Sequence, residues 1–112
     1  MLRALLWAWR AAAEARRLVR TGDIRTGTIS PAPRSSGHAT FAVRAVKRVR
    51  RLSCLEGALL DQQWRLTRGE AHDVVVGVRT DQGFEAHAWI DGEFDRHTDY
   101  VEIYRRPPRS AD

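Results

Sequence analysis

Apolar residues near the start of the chain recur at three- and four-residue spacing, with charged residues between them. This spacing predicts an amphipathic helix over residues 2–18. Its apolar stripe would pack on a core or dock a partner. The alternative is a membrane-surface helix, because basic residues flank the tryptophans. The stripe consists of Leu2, Leu5, Leu6, Trp9 and Ala13.

Residues 21–37 are rich in glycine, proline and hydroxyl residues without periodicity, which predicts a linker. A second helix is predicted over about residues 38–51, with one apolar and one basic face. The basic face is expected to be solvated, or otherwise to dock an acidic peptide or nucleic acid. The apolar face comprises Phe41, Ala45, Val49 and Leu52, and the basic face comprises Arg44, Lys47, Arg48 and Arg51.

A third helix is signalled by its first residues. Ser53 and Glu56 have the spacing of a capping box, in which the side chain of each bonds the backbone N–H of the other. Apolar residues follow at helical spacing. The pattern therefore predicts a helix that begins at Cys54 and ends near Thr67.

The rest of the chain is predicted to form β-strands. One strand is predicted by a β-branched run over residues 73–79, and another by alternating apolar residues over 84–90. Asp91-Gly92 predicts a turn before a further strand at 93–96, and 101–104 would add the last. Helices followed by an antiparallel meander indicate an α+β fold. We expect one domain over residues 1–112, with its core at about 38–104.

Composition excludes several classes of protein. The chain has 112 residues, enough for one domain, and no apolar run of the roughly 18 residues that a spanning helix needs. Its net charge of +5 keeps nucleic acid among the conceivable partners, but no recognition motif accompanies it. The single cysteine cannot form an internal disulfide, so the expected location is the cytoplasm. No stable membrane insertion is expected.

Cys54 is a candidate nucleophile because the capping box places it at the first position of a helix. There the unpaired N–H groups and the helix dipole favour a thiolate by about 0.3–1 kcal/mol. That is too little for a strong nucleophile, so an imidazolium partner is also required. A lone cysteine is otherwise a small buried hydrophobe.

His87 is the candidate partner, since it lies in an alternating strand between small residues. With a three-residue loop ending at Gly92, the following hairpin would place Asp95 opposite His87, where its carboxylate could orient the imidazole. With a two-residue loop, Arg96 would lie there instead, so the acid depends on one residue of register. No pair of cysteine or histidine residues has a recurrent metal-ligand spacing.

Three sequence blocks together resemble the transglutaminase-like leader peptidases of lasso-peptide biosynthesis. They are Ser53-Cys54-Leu55 followed by Ala58-Leu59, then Val76-Gly77-Val78-Arg79, and then Phe84-Glu85-Ala86-His87-Ala88-Trp89-Ile90 followed by Asp91-Gly92. The resemblance covers roughly residues 40–100. The short chain resembles the split form, in which the peptidase and the leader-binding protein are separate subunits.

The resemblance implies a papain- or transglutaminase-like cysteine protease that removes the leader of a lasso-peptide precursor. It places the nucleophile at Cys54, the general base at His87 and the acid at Asp95 by register, or at Asp99 by linear spacing. It implies no cofactor and no metal. The implied partners are the precursor peptide, a leader-recognition protein and the lasso cyclase. The alternatives are an acyl transferase or amidase acting on another peptide and, from another class, a basic nucleic-acid-binding module.

Overall fold

A computed structural model describes residues 2–34, 39–81, 83–93 and 99–109. Three helices pack on a three-stranded antiparallel sheet, which confirms the predicted α+β class. The third helix begins and ends where the capping box and periodicity predicted. The elements are α1 (Leu2–Thr21), α2 (Thr40–Val49), α3 (Cys54–Thr67), β1 (Val74–Arg79), β2 (Glu85–Ile90) and β3 (Val101–Arg106).

The sheet is not the predicted meander. Its order is β2-β1-β3, so β1 is central and pairs antiparallel with both other strands. The valine run of β1 explains this position, because a strand with two bonded neighbours is the most buried. Val74 and Val75 are almost completely buried. Of the strand predicted at 93–96, only Glu93 is described, and it lies outside the sheet.

Helix α3 lies between α1 and the sheet and is buried on most of its surface. Leu59 and Leu60 are fully buried, and the ring of Trp64 lies 5.6 Å from that of Trp7 in α1. Ala88 and Ile90 of β2 complete this core from the sheet. The central position of α3 fixes its first turn, and with it Cys54, against the rest of the fold.

The core-packing interpretation of the α1 stripe is wrong. All five residues of the stripe are exposed, and the opposite face is buried. Small side chains allow helix axes to approach closely, so an alanine-rich face packs well against two neighbouring helices. The buried residues are Ala4, Trp7, Ala8, Ala11, Ala12, Ala15 and Leu18.

Helix α2 shows the same reversal. Phe41, Ala45 and Val49, predicted to share a face with Leu52, are exposed, whereas Ala42, Val43 and Val46 are buried. Leu52 lies beyond the end of the helix and is half-buried. Helices α1 and α2 thus both turn large apolar side chains outward.

The described part of the predicted linker, residues 22–34, has no helix or strand but packs on the core. Ile29 is almost fully buried, and Ser30 donates hydrogen bonds from N and Oγ to the Glu14 carboxylate of α1, at 3.0 and 2.8 Å. Arg106 at the end of β3 donates to the carbonyls of Ile24 and Gly27, at 2.8 and 2.7 Å. Burial lowers the pKa of Arg106, whose partners here are all uncharged.

Candidate active site

Cys54 is exposed at the first position of α3, as the sequence predicted. The capping box is formed: Glu56 N–H donates to Ser53 Oγ at 3.2 Å, and Ser53 N–H donates to Glu56 Oε1 at 2.9 Å. The Gly57 N–H bonds the Ser53 carbonyl at 2.8 Å. This arrangement leaves the N–H groups of Cys54 and Leu55 without partners among the described residues, and they point out of the helix N-terminus.

The turn from α2 to α3 positions this N-terminus. Arg51 adopts the left-handed conformation (φ 51°), and the Leu52 N–H bonds the Lys47 carbonyl at 3.1 Å. Together with the bond from Arg51 N–H to the Arg48 carbonyl at 3.2 Å, this is a Schellman motif with arginine in the position usually held by glycine. The α2 helix therefore ends in a defined turn that leads directly to Ser53.

Arg16 of α1 binds the same turn, a contact that the sequence did not predict. Its guanidinium donates to the Arg50 carbonyl at 2.5 Å, and its Nε lies 3.5 Å from Glu56 Oε2. Glu56 thus caps α3 and contacts α1 at once. In the sequence Arg16 is one of five arginines in α1, so periodicity alone could not distinguish it.

His87 lies in β2, directly opposite Gly77 of β1. It lines the same cleft as Cys54, a cleft of about 330 Å³ at the edge of the sheet. The helical side of the cleft is formed by the face of α3 that carries Cys54, Gly57 and Asp61. The structure therefore brings together the two residues that the sequence proposed as nucleophile and base.

Aromatic rings surround the imidazole of His87. The Trp89 ring stacks at 5.8 Å with an interplanar angle of 27°, and the Tyr100 ring lies at 5.6 Å. Both side chains close over Gly77: a Cβ there would lie 2.8 Å from Cη2 of the Trp89 ring and 3.0 Å from Tyr100 Cβ. The missing side chain of Gly77 makes room for this packing.

A charged pair borders the ring cluster. Glu85, on the same strand face as His87, accepts a hydrogen bond from Arg79 at 2.5 Å. This bond, together with one from the Tyr100 hydroxyl, lowers the pKa of the Glu85 carboxyl. Desolvation and the same bond to Glu85 raise the pKa of Tyr100. Glu85 is therefore a carboxylate close to the imidazole, in addition to the acids predicted from the sequence.

The predicted triad acid, Asp95, lies outside the described residues, as do Arg96, His38 and His97. Gly92 has a left-handed conformation (φ 85°), and the Glu93 N–H bonds the Ile90 carbonyl at 3.2 Å, which closes a four-residue turn with Asp91 and Gly92 at its centre. Asp99, the alternative acid, lines a separate surface pocket with Arg79 and Asp81.

Lys47 also lines the cleft, although its sequence placed it on a solvated basic face. Its ammonium bonds Asp61 at 2.6 Å, and its side chain passes over Gly57, where a Cβ would lie 3.3 Å from Lys47 Cε. Gly57 is one turn beyond Cys54 on the same face of α3. No pattern in the sequence around Lys47 indicates this position, because the cleft forms only when α2 and α3 meet β2.

The profile of the transglutaminase-like superfamily matches residues 1–103. The chain belongs to this superfamily. No curated protein matches it, and no solved structure does. Membership supports a cysteine-dependent enzyme of the protease or acyltransferase type, in agreement with Cys54 and His87 on one cleft.

Within the described parts of the chain, no cluster of three or more histidine, cysteine, aspartate or glutamate side chains could hold a metal ion. None of the helices there is long and apolar enough to cross a membrane.

Proposed function

We propose that this member of the transglutaminase-like superfamily is a cysteine peptidase that removes the leader from a lasso-peptide precursor. The observation that carries the proposal is the shared cleft of Cys54, at a capped helix N-terminus, and His87. The two sequence blocks around these residues favour the leader peptidases within the superfamily.

The proposed reaction has two steps. The Cys54 thiolate adds to the scissile carbonyl carbon, and His87 gives its proton to the leaving amine nitrogen as the C–N bond breaks. A thioester remains on Cys54. Water then adds to the thioester while His87 takes its proton, the C–S bond breaks, and the leader leaves as a carboxylic acid.

The negative oxygen that forms at each addition needs hydrogen-bond donors. The N–H groups of Cys54 and Leu55 suit this role, because they lie at the attacking sulfur and the helix dipole favours negative charge there. Lys47 of α2 is a further cation at the cleft, although Asp61 of α3 already pairs with it.

The proposed partners are the precursor peptide, a leader-recognition protein that delivers it, and a lasso cyclase that uses the freed amine. The test is incubation with a lasso-peptide precursor, with and without a leader-recognition protein, followed by mass spectrometry. We expect separate leader and core fragments with the native chain and none with Cys54→Ala. Near-native cleavage by pure, folded Cys54→Ala protein would refute the cysteine mechanism.

The second candidate, favoured by superfamily membership, is acyl transfer or amide hydrolysis on another peptide. The same thioester can be attacked by an amine instead of water. Adding a primary amine to the incubation separates the two: a peptidase gives free acid at the leader, whereas a transferase gives the amide. Predominant amide would favour this candidate over the leader peptidase.

A further inference from the structure

The outward faces of α1 and α2 form one apolar groove of about 270 Å³, distinct from the cleft that holds Cys54. Leu6 is 62% exposed, Val49 68% and Trp9 48%. Burial of large apolar side chains is favourable, so a contiguous exposed set of them marks an interaction surface. The groove is lined by Leu5, Leu6, Trp9, Ala45, Val46 and Val49.

The charges around this groove have one sign. Helix α1 carries five arginines and one acid, Glu14, which already accepts two bonds from Ser30. Helix α2 carries two arginines, Lys47 and no acid. By helical spacing, two arginines flank the apolar stripe of α1 and two flank that of α2, and none has an acidic partner among the described residues. They are Arg3 and Arg10, and Arg44 and Arg48.

We infer that this groove binds an amphipathic helical segment of a partner protein, with aliphatic residues on one face and acidic residues on both flanks of that face. A helix laid in the groove would insert its side chains between α1 and α2, the usual helix-in-groove arrangement. Its acids would meet the unpaired arginines on both rims. The guanidinium of Arg50, 4.6 Å above the Trp9 ring, stands at the same surface as a further cation.

Other occupants fit the groove less well. A second copy of this chain would bring cationic rims against cationic rims, which is repulsive across a symmetric interface. A membrane-bound amphipathic helix presents a convex apolar stripe to lipid, whereas this surface is concave. Nucleic acid would use the arginines but has no use for the exposed leucines.

The position of α2 gives the inferred partner a role. Val46 lines the groove and the adjacent Lys47 lines the cleft, so a partner in the groove would lie one helix away from Cys54. This role rests on the proposed function, since a partner carrying the substrate would hold it beside the cleft. Binding itself does not depend on that function.

The test uses two synthetic amphipathic helical peptides with the same leucine stripe, one with glutamates and one with lysines on its flanks. Labelled peptides are titrated with Cys54→Ala protein at low salt, and binding is read by fluorescence anisotropy. We expect the glutamate peptide to bind at least about tenfold more tightly, with an affinity that falls as salt rises. Equal binding of both peptides would overturn the inference.

Single-site variants locate the binding. Leu6→Gln and Val49→Gln should each weaken binding about tenfold, because they place an amide in the apolar groove, whereas Ile103→Gln is the matched control on β3, 61% exposed and outside the groove. The double variant Arg44→Glu/Arg48→Glu should shift the preference toward the lysine peptide. All of these positions are exposed, and circular dichroism checks their folding. Unchanged affinity in Leu6→Gln and Val49→Gln would also overturn the inference.

Three further measurements identify the alternative occupants. Preferential binding to phosphatidylglycerol vesicles would indicate a membrane surface. A dimer in sedimentation that Leu6→Gln dissociates would indicate a second copy. Steeply salt-dependent binding of duplex DNA, insensitive to Leu6→Gln, would indicate nucleic acid. Any of these without binding of the glutamate peptide contradicts the inferred partner, while the cleavage assay decides the proposed function separately.

Discussion

The cleft and the groove lie on two sides of α2 and differ in how their charges are balanced. In the cleft, Lys47 pairs with Asp61 at 2.6 Å, and Glu93 pairs with Arg65 at 3.3 Å. Around the groove, the rim arginines have no acidic partner among the described residues. These charged side chains of the cleft are therefore neutralised by partners in the same chain, whereas the arginines around the groove are not neutralised by acids of the described residues.

This difference separates two kinds of experiment. Substitutions in the cleft should change the chemistry at Cys54 and leave peptide binding at the groove unchanged. Substitutions at Leu6 or Val49 should do the reverse when the substrate is a short peptide that needs no delivery. A substitution that changed both would show that α2 couples the two surfaces.

Among substitutions in the cleft other than at Cys54, we expect His87→Ala to lower the cleavage rate most. Without the imidazole, neither the thiolate nor the leaving amine is assisted, so cleavage should fall at least about a hundredfold. Alkylation of Cys54 at neutral pH, followed by mass spectrometry, should slow as well. Binding of the glutamate peptide to the groove is the control and should not change.

Equal alkylation rates in the native chain and His87→Ala would show that no Cys54–His87 ion pair exists in the free enzyme. Equal cleavage rates would remove His87 from the mechanism altogether.

The next largest effect concerns the acid. Asp95→Asn should lower kcat by about a hundredfold or more with little change in KM, because an orienting carboxylate fixes the tautomer of the histidine. Asp99→Asn should have a modest effect, since Asp99 lines a pocket with Arg79 and Asp81 rather than the cleft. Steady-state kinetics on both variants, after their unfolding curves are compared, decides between them.

An inactive Asp99→Asn together with an active Asp95→Asn would make the register assignment wrong. It would also mean that the acid reaches His87 from beyond the hairpin.

Sequence patterns that involve only neighbouring residues predicted the structure best. Ser53 and Glu56 predicted the start of α3 and the position of Cys54 at its N-terminus, because a capping box is satisfied by its own four residues. Alternation also predicted that Ala88 and Ile90 share one face of β2, and that face is buried. Both patterns can be read from neighbouring residues alone.

Signals that depend on distant partners predicted less. Periodicity identified amphipathic helices but assigned the larger side chains to the core, whereas the alanine face of α1 is the buried one. The order of the sheet was missed because β1 pairs with a strand more than twenty residues away. Arg16, Gly77 and Tyr100 carry no local motif, and their roles arise only when α1, β1 and β3 are brought together.

Gly77→Ala tests the packing beneath His87 and should have an intermediate effect. Its Cβ would lie 2.8 Å from Trp89 Cη2, so a ring must shift, and overpacking of this kind typically costs about 1–3 kcal/mol. We expect a lower urea midpoint and a lower kcat, because the displaced rings contact the imidazole.

Trp89→Phe provides the matched control, since phenylalanine lacks the ring atoms nearest Gly77. In a double-mutant cycle, Gly77→Ala should cost less stability in the Trp89→Phe background than in the native chain. An additive cycle would show that this contact is not the source of the effect.

The smallest expected effect lies in the turn that joins the helix of the groove to the helix of the cleft. Arg51 holds a left-handed conformation that costs a non-glycine residue about 1–2 kcal/mol. Glycine avoids this cost, but its greater conformational freedom in the unfolded chain offsets part of the resulting stabilisation. Arg51→Gly should therefore raise the free energy of unfolding by up to about 1 kcal/mol, measured by urea denaturation at constant m-value. Arg51→Ala removes the same charge but keeps the Cβ, so it should give no such gain. If the two variants are equally stabilised, the cost in the native chain comes from the crowded arginine charges of α2 rather than from the backbone of the turn.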